Sequence, residues 1–337
     1  MAVYLEGPPG TGKTSISKQV AEQMGLPLIY QHAPTKLPED FGLPWPDANS
    51  NSFHFRMLKI LPLEGSEHPD EGIMLFDELA QAGADIQKIL ANMLWEREVH
   101  GHRIKPGWRF IATGNRMSDR AGANRILSHL RNRMITLDLD VEAEAWCDWA
   151  QEHGVDERII AYLRFAPQHL NTFDANQEIN ATPRSWAEGL SPILPLLTPD
   201  ILLETAKGII GSVAPEFTGF LGLYGQLPSR EEFLANPEQV VRRLPKNESG
   251  SVEPSIYYAL ANMLLMEMTI ETFLPAMEAA SHLPMDCGAM VFMSYLKKCS
   301  GAISRHPQAT AEGLRRYKGI LLGEQVVKAE ELLGEAA

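Results

Sequence analysis

Short apolar runs alternate with amphipathic segments over the first 140 residues of the chain. The apolar runs have the length of strands, and one of them, residues 73–76, contains no polar position. An uninterrupted apolar run is typical of a strand that is buried on both faces, as in a parallel sheet. The pattern predicts an α/β domain with a five-stranded parallel sheet. The predicted strands are residues 3–5, 28–30, 73–76, 108–115 and 135–139.

Helices are predicted after the first and third strands, because apolar residues recur there at helical spacing. The apolar face of the first helix consists of Ile16, Val20, Ala21 and Met24. Gly25 follows this face and is expected to end the helix. The apolar face of the second helix consists of Ile86, Ile89, Leu90, Met93 and Leu94.

Helical periodicity dominates beyond about residue 140, and no further convincing strand pattern follows. We therefore predict two domains, an α/β domain over residues 1–140 and a helical region over residues 141–337. An amphipathic helix is predicted near the C-terminus, at residues 324–333.

The composition is that of a soluble globular protein, with 45% hydrophobic and 22% charged residues. No apolar run is long enough to cross a bilayer, and the first residues lack the features of a secretory signal. Cys147, Cys287 and Cys299 are too scattered for a disulfide framework or a paired-cysteine metal site, which favours free thiols in a reducing compartment. We expect a cytoplasmic protein without a membrane partner.

The residues after the first predicted strand have the spacing of a phosphate-binding P-loop: a glycine, four residues, then Gly-Lys-Thr. Glycines let backbone N–H groups turn towards a phosphate, and the N-terminus of the following helix and Lys13 add positive charge. The alternative, an ordinary glycine-proline turn before a helix, does not require the complete pattern. The predicted nucleotide-binding residues on this loop are Gly7, Pro8, Pro9, Gly10, Thr11, Gly12, Lys13, Thr14 and Ser15.

Two carboxylates, Asp77 and Glu78, follow the apolar run at residues 73–76. The C-terminal ends of parallel strands are where open α/β sheets bind ligands. Joined to the P-loop, the pair resembles a Walker B motif: Asp77 and the hydroxyl of Thr14 would hold Mg2+, and Glu78 would polarise the water that attacks the γ-phosphate of ATP. Taken alone, an apolar strand that ends in Asp-Glu is equally typical of a helix cap.

The sequence Phe-Ile-Ala-Thr-Gly-Asn at residues 110–115 makes a family resemblance specific. It resembles the sensor-one strand of AAA+ proteins, whose terminal Asn helps to position the attacking water. The resemblance gives this role to Asn115. Without the two preceding motifs, a simple turn at residues 113–115 would be the preferred interpretation.

The sequence Leu-Arg-Asn-Arg-Met at residues 130–134 resembles the arginine-finger segment of the same family. The resemblance implies that an arginine here reaches the ATP site of a neighbouring subunit and stabilises charge on the transferred phosphoryl group. Arg133 is the first candidate and Arg131 the second. The alternative for either is a solvated helix end, where a cation pairs favourably with the helix dipole.

A third arginine is predicted in the first turn of a helix. Thr182 and Pro183 are typical of an N-cap and a first helical position, which places Arg184 just inside the helix. A cation there opposes the helix dipole, and a nearby anion such as ATP would relieve this. The segment resembles the sensor-two helix of AAA+ lids, whose Arg contacts the γ-phosphate; a surface arginine is the alternative. The predicted apolar face of this helix is Trp186, Leu190, Ile193 and Leu194.

Within the AAA+ family, the chain resembles the MoxR-like branch. Residues 39–44 resemble the segment that leads into its helix-two insertion, and residues 97–107 are expected to form the hairpin found before sensor one. The first strand begins almost at once, so we expect lid residues or a neighbouring subunit to cover the adenine. Ordinary exposed loops are an equal alternative to a substrate-contacting role. The residues hypothesised to contact the substrate are Trp45, His100, His102 and Arg103.

The resemblance implies a P-loop AAA+ αβα sandwich, followed by an all-helical lid and C-terminal region. It implies a homo-oligomeric ring, a hexamer, that hydrolyses ATP with Mg2+ and remodels or activates a client protein. MoxR-like relatives often work with a partner that carries a von Willebrand factor A domain. Two alternatives stay open: a nucleic-acid motor of RuvB or McrB type, and a nucleotide-gated scaffold. The net charge of -13 disfavours nucleic acid, although a basic strip inside a ring would still allow it.

Overall fold

The described part of the chain in this computed structural model consists of residues 1–116, 126–247 and 249–321. It divides into two compact units. The first unit consists of Met1–Val141 and Asn171–Arg184, and the second consists of Glu142–Leu170 and the described residues from Ser185 on. The short segment 171–184 therefore groups with the first unit, which the sequence does not indicate.

The first unit contains an α/β fold with two small hairpins. Its strands are β1 (Ala2–Glu6), β2 (Leu28–His32), β3 (Leu43–Pro46), β4 (Phe53–Arg56), β5 (Glu71–Asp77), β6 (Glu98–Val99), β7 (His102–Arg103), β8 (Gly107–Gly114) and β9 (Met134–Asp138). Its α-helices are α1 (Lys13–Gln23), α2 (Ala84–Glu96) and α3 (Ser128–Arg131). Short 3-10 turns lie at Ala33–Thr35, Pro38–Phe41 and Leu79–Gln81.

Five strands form a parallel sheet in the order β2-β5-β8-β1-β9, as the sequence predicts. Strand β5, the second in this order, is buried along six consecutive residues, as expected of a strand covered on both faces. One face of the sheet packs on α2, and the shared core includes Met74, Phe76, Phe110 and Leu90. The predicted P-loop sandwich with a five-stranded parallel sheet is confirmed.

The parallel arrangement places the carboxyl ends of the strands at one edge of the sheet. The register sets Glu6 of β1 opposite Gly114 of β8, and His32 of β2 opposite Asp77 of β5. The loops that follow these residues carry most of the polar residues singled out from the sequence. The sheet therefore brings motifs from distant parts of the chain to one edge.

Helix α1 buries a different face from the one that its apolar pattern predicts. The buried residues are Lys13, Ser17 and Ala21, while Val20 and Met24 are exposed. Ser17 is tolerated in this buried position because its hydroxyl donates to the carbonyl of Lys13 at 2.9 Å. The helix is thus oriented by the P-loop at its N-terminus rather than by its own apolar stripe.

One hairpin, β3–β4, begins within the segment 39–44, and the other, β6–β7, lies within residues 97–107, where a hairpin is predicted. The strands β3 and β4 pair antiparallel, and so do β6 and β7. The rings of Phe55 and His100 stack with their centroids 3.9 Å apart, which joins the two hairpins. A side chain on Gly42 would meet the His100 ring at 2.8 Å, so this glycine permits the close approach.

The second unit is helical throughout its described residues. Its α-helices are α4 (Ala143–Glu152), α5 (Glu157–Phe165), α6 (Pro199–Ile210), α7 (Ala214–Tyr224), α8 (Arg230–Ala235), α9 (Pro237–Arg243), α10 (Pro254–Leu265), α11 (Ile270–Ser281), α12 (Met285–Lys298), α13 (Ser300–Arg305) and α14 (Pro307–Tyr317). Two 3-10 turns lie at Pro167–His169 and Leu194–Leu196. Many buried aromatic and aliphatic residues form its core, among them Phe273, Phe292 and Tyr295.

The helix predicted after Pro183 departs from regular α-geometry. Residues 183–184 are helical, and Ser185–Leu190 continue as a π-helix, with the amide of Ser191 bonded to the carbonyl of Trp186. Of the predicted apolar face, Trp186, Leu190 and Leu194 are buried. The C-terminal helix predicted at residues 324–333 lies outside the described residues. Among the helices that are described, none combines the length and the apolar character needed to span a membrane.

Candidate functional site

The P-loop connects β1 to α1 and closes around the ammonium group of Lys13. Gly10 and Gly12 have φ angles of 74° and 87°, in the left-handed region that residues with side chains avoid. Helix α1 begins directly after Gly12, at Lys13. The ammonium of Lys13 donates to the carbonyls of Gly7 and Pro8 at 2.8 and 2.6 Å. Thr11 fixes the loop further, since its hydroxyl donates to the carbonyl of Pro8 at 2.9 Å.

Two glycines of the loop allow close contacts with later parts of the first unit. A Cβ on Gly7 would lie 2.6 Å from the carbonyl oxygen of Leu139, and a Cβ on Gly10 would lie 2.7 Å from the hydroxyl of Thr182. The amide of Arg184 donates to the carbonyl of Gly10 at 3.2 Å. The segment 182–184 therefore packs directly on the P-loop, which explains why residues 171–184 group with the first unit.

Asp77 at the end of β5 accepts hydrogen bonds from three hydroxyl groups. Its Oδ1 accepts from Thr14 at 2.7 Å and from Thr113, and its Oδ2 accepts from Tyr30 at 3.0 Å. The carboxylate is largely buried. All three donors are neutral, so the negative charge of Asp77 is held in place without being cancelled by them.

Glu78 has a backbone conformation that is uncommon for its residue type. Its φ angle is 57°, in the left-handed region, and its amide donates to the hydroxyl of Thr113 at 3.2 Å. The carboxylate lies 3.0 Å from Nε2 of His32, at the end of the neighbouring strand β2. Left-handed conformations of such residues are found preferentially at functional sites. With this turn, the Glu78 carboxylate contacts His32 of β2.

Asn115 follows β8 and faces the P-loop. Its Oδ1 accepts a hydrogen bond from the ammonium of Lys13 at 3.1 Å. Two hydrogen-bonded groups result: Lys13 with Asn115, and Thr14 with Asp77 and Thr113. They meet where Lys13 and Thr14 follow each other at the start of α1. The structure brings together the residues that the sequence predicts from three separate motifs.

Tyr30 and His32 are two site residues that the sequence motifs do not indicate. They alternate along β2, and each contacts one member of the acid pair. Burial, the hydrogen bond to Asp77 and the negative charges of Asp77 and Glu78 raise the pKa of Tyr30 to about 12, while the positive charge of Arg184 opposes the shift. The signal in the sequence is the presence of polar side chains at alternate positions at the end of a strand.

Arg131 and Arg133 both contact groups within their own chain. The guanidinium of Arg131 pairs with the buried carboxylate of Glu6 at 2.5 Å, just before the P-loop. The guanidinium of Arg133 donates to the carbonyl of Ala91 at 2.7 Å and lies 6.0 Å from the ring centre of Trp95. Half of the Trp95 side chain is exposed beside it. In the described part of the chain, neither arginine is hydrogen-bonded to Asp77, and a role at a neighbouring subunit stays a prediction.

The hairpin residues hypothesised to contact a substrate lie away from this group. Trp45 is exposed on β3, and the guanidinium of Arg56 lies 4.0 Å from its ring centre. His102 and Arg103 are exposed on β7, whereas His100 is held by the stacking contact with Phe55. Burial and the charge of His102 lower the pKa of His100, so its ring is neutral at neutral pH.

The chemistry of these side chains fits ATP and Mg2+. Magnesium prefers oxygen ligands and keeps several of its waters, so that one or two protein oxygens suffice when phosphates supply others. The Thr14 hydroxyl and the Asp77 carboxylate provide such oxygens within 2.7 Å of each other. The left-handed glycines and the N-terminus of α1 suit a phosphate group. Among the described residues, no three His, Cys, Asp or Glu side chains are grouped so that together they could hold a metal ion.

Residues 2–134 match the family model described as AAA domain (dynein-related subfamily). The match spans β1 to the start of β9, and it agrees with the family that the motifs resemble. None of the curated proteins compared with the sequence matches it. Assignment to the MoxR-like branch stays a prediction.

Two solved structures illustrate the similarity to known proteins. The RuvB Holliday junction branch migration motor of Thermotoga maritima shares 17% identity, with 72% of this chain and 69% of that chain covered and a TM-score of 0.36. NtrX from Brucella abortus in complex with ADP shares 14% identity, with 83% and 60% covered and a TM-score of 0.37. Branch migration and ADP binding are properties of those two proteins.

Proposed function

We propose that this chain is an ATP hydrolase of the AAA+ class that works as a homo-oligomeric ring and remodels or activates a client protein. The observation that supports an ATPase most strongly is the hydrogen bond between Thr14 and Asp77. It joins a P-loop to a pair of carboxylates at the edge of the sheet where ligands of α/β proteins bind. Lys13, which precedes Thr14 in the P-loop, donates a hydrogen bond to Asn115 at 3.1 Å.

Each residue has a role that follows from its chemistry. The backbone amides of the P-loop and the ammonium of Lys13 bind the phosphates, and the Thr14 hydroxyl and Asp77 hold magnesium. Bound magnesium supplies positive charge that offsets the charge on the phosphates. Glu78 orients and polarises the attacking water, and Asn115 holds that water in line. In ATP hydrolysis, the water forms a bond to the γ-phosphorus as the bond to the bridging oxygen breaks.

The proposed ring follows from the arginines at the start of β9. Arg133, or Arg131 in its place, acts on the ATP of a neighbouring subunit, and a hexamer is the assembly that the MoxR-like resemblance implies. Arg131 already neutralises the buried carboxylate of Glu6, and its removal would leave that charge unpaired. Arg133 donates to an uncharged backbone carbonyl, that of Ala91, and is therefore the better candidate. Arg184 beside the P-loop completes the site on the same chain.

The proposed client is a protein, which the hairpins β3–β4 and β6–β7 contact through Trp45, His102 and Arg103. His100 supports this surface through its stacking contact with Phe55. The net charge of -13 favours a protein client over nucleic acid. A partner with a von Willebrand factor A domain would present the client, as in the MoxR-like proteins that the sequence resembles.

The experiment compares two variants in native extract with ATP. Glu78→Gln should bind ATP without hydrolysing it and should stay bound to its client. Lys13→Ala should bind neither ATP nor the client. Light scattering measures the mass of each purified variant with and without ATP, and mass spectrometry identifies the proteins that co-purify. Specific proteins that co-purify with an ATP-dependent assembly of Glu78→Gln support the proposal. The proposal is contradicted if Glu78→Gln stays monomeric at all ATP concentrations. It is also contradicted if the same proteins co-purify with both variants.

A further inference from the structure

Tyr30 contacts the acid pair through an interaction that the P-loop and Walker B motifs do not account for. Its hydroxyl donates to Oδ2 of Asp77 at 3.0 Å. The two residues are on neighbouring strands, where the register places Tyr30 opposite Leu75, two positions before Asp77. The ring therefore reaches along the sheet towards its carboxyl edge, and 42% of the residue stays exposed.

The position of the Tyr30 ring is supported from helix α1. The ammonium of Lys18 lies 5.1 Å from the ring centre, within the range of a cation–π contact. The phenol is thus held at both ends, by Lys18 at the ring and by Asp77 at the hydroxyl. Removal of the hydroxyl alone leaves the ring contact in place.

A phenol is a suitable hydrogen-bond donor to a carboxylate that must also bind a cation. Oδ1 of Asp77 is already held by Thr14 and Thr113, and Tyr30 holds Oδ2. Bonds to both oxygens fix the plane of the carboxylate, because rotation about its bond to Cβ would break them. A lysine or arginine in place of Tyr30 would cancel the negative charge that attracts magnesium, whereas a neutral hydroxyl leaves it.

The phenol of Tyr30 has one O–H group to donate, and here the acceptor is Asp77.

We propose that Tyr30 is a positioning residue of the magnesium site, whose hydroxyl orients Asp77 towards the hydrated cation that accompanies ATP. This inference rests on the proposed magnesium-ATP site and adds a residue that its motifs lack. Partners that orient a metal-binding group typically contribute about 10- to 100-fold to metal affinity. We expect an effect at the lower end, near 10-fold, because Thr14 and Thr113 still hold the other oxygen.

The test separates metal binding from nucleotide binding. Mn2+ affinity is measured by electron paramagnetic resonance in the presence of a non-hydrolysable ATP analogue, and the affinity of a fluorescent ADP is measured in EDTA. Tyr30→Phe should weaken Mn2+ binding by about 10-fold and leave ADP binding in EDTA unchanged. Lys18 still contacts the phenyl ring in this variant, so the fold should be preserved.

Tyr4→Phe is the matched control. Tyr4 lies on β1 of the same sheet, and its buried hydroxyl has no hydrogen-bond partner in the described part of the chain. Its removal should change neither Mn2+ nor ADP binding. Unchanged Mn2+ affinity in Tyr30→Phe, an equal loss in both variants, or a parallel loss of ADP binding in EDTA each overturns the inference.

The outcomes also distinguish this inference from the proposed function. If the wild-type protein hydrolyses ATP but its Mn2+ affinity is the same as that of Tyr30→Phe, only the proposed role of Tyr30 is wrong. If the wild-type protein binds neither Mn2+ with the analogue nor ADP in EDTA, the proposed ATP site is wrong and the role of Tyr30 falls with it.

Discussion

The hydroxyl of Thr14 donates a hydrogen bond of 2.7 Å to Oδ1 of Asp77, which lies 63 residues later in the chain. Thr14 is in the first turn of α1, and Asp77 ends β5. The bond therefore connects the helix that follows the P-loop to the carboxyl end of β5. It places two oxygens side by side where magnesium would be bound.

Replacement of Thr14 tests this pair of oxygens. Thr14→Val removes the hydroxyl and preserves the shape of the side chain, so Mg2+-dependent nucleotide binding should weaken by more than about 10-fold. Thr14→Ser keeps the hydroxyl and is the control, with close to wild-type behaviour expected. Calorimetry of ADP binding with and without Mg2+ measures the difference. If ADP binding depends equally on Mg2+ in the two variants, the Thr14 hydroxyl does not contribute to the metal site.

A mixing experiment tests which arginine acts on a neighbouring subunit. Arg133→Ala should lower ATP turnover by about 1,000-fold, because the finger stabilises charge in the transition state. Lys13→Ala should also be inactive, since it lacks phosphate binding. A mixture should recover part of the activity, because some interfaces pair an intact P-loop with an intact Arg133.

The matched variant for this experiment is Arg131→Ala. This change leaves the buried carboxylate of Glu6 without its cation, so we expect loss of stability together with any loss of turnover. A thermal unfolding curve beside each assay separates the two effects. Absence of recovery in mixed rings of verified composition would count against Arg133 as a finger in trans.

Two glycine substitutions test the close packing of the segment 182–184 on the P-loop. Gly10→Ala and Gly25→Ala both place a side chain on a left-handed backbone, which costs about 1–2 kcal/mol. Only Gly10→Ala also meets Thr182, at 2.7 Å, whereas nothing lies within 4 Å of a Cβ on Gly25. We expect a larger fall in the free energy of unfolding, and weaker nucleotide binding, for Gly10→Ala. Equal unfolding curves for the two variants would contradict the close contact.

The tyrosines predict a loss of stability at alkaline pH. Burial raises the pKa values of Tyr4 and Tyr162, and burial with nearby carboxylates raises those of Tyr30 and Tyr258 to about 12. The unfolded chain ionises its tyrosines near pH 10. The stabilisation is therefore complete below about pH 10 and is lost as the pH rises towards 12.

Absorbance at 295 nm measures this titration directly. In the folded wild-type protein, these phenols should ionise well above pH 10, and the difference from Tyr30→Phe should isolate one group that titrates near pH 12. Urea unfolding at pH 9 and pH 11 should give a lower free energy of unfolding at the higher pH. A difference spectrum that titrates near pH 10 would contradict the raised pKa of Tyr30.

The parts of the site that the sequence predicts are those encoded by contiguous motifs. The P-loop spacing places Lys13 and Thr14, and the apolar run before Asp77 identifies β5 as a buried strand. The order of strands and helices along the chain also predicts the parallel sheet. These features depend on local spacing and burial, which a sequence displays directly.

The parts that the sequence does not predict depend on contacts across strands. Tyr30 and His32 reach Asp77 and Glu78 over sequence separations of 47 and 46 residues, and only the register of β2 with β5 brings them close. The buried face of α1 is another example, because Ser17 is buried in place of Val20. The P-loop anchors the first turn of the helix and thereby determines its rotation.

The most direct test of the account is ATP turnover by the Glu78→Gln variant beside ATP binding by the same variant. The loss of the carboxylate that polarises water should lower turnover by about 100- to 10,000-fold, while nucleotide affinity stays within a few-fold of wild type. Phosphate release measures turnover, and filter binding of labelled ATP measures affinity. Wild-type turnover in Glu78→Gln, or no hydrolysis by the assembled wild-type protein, would contradict the account.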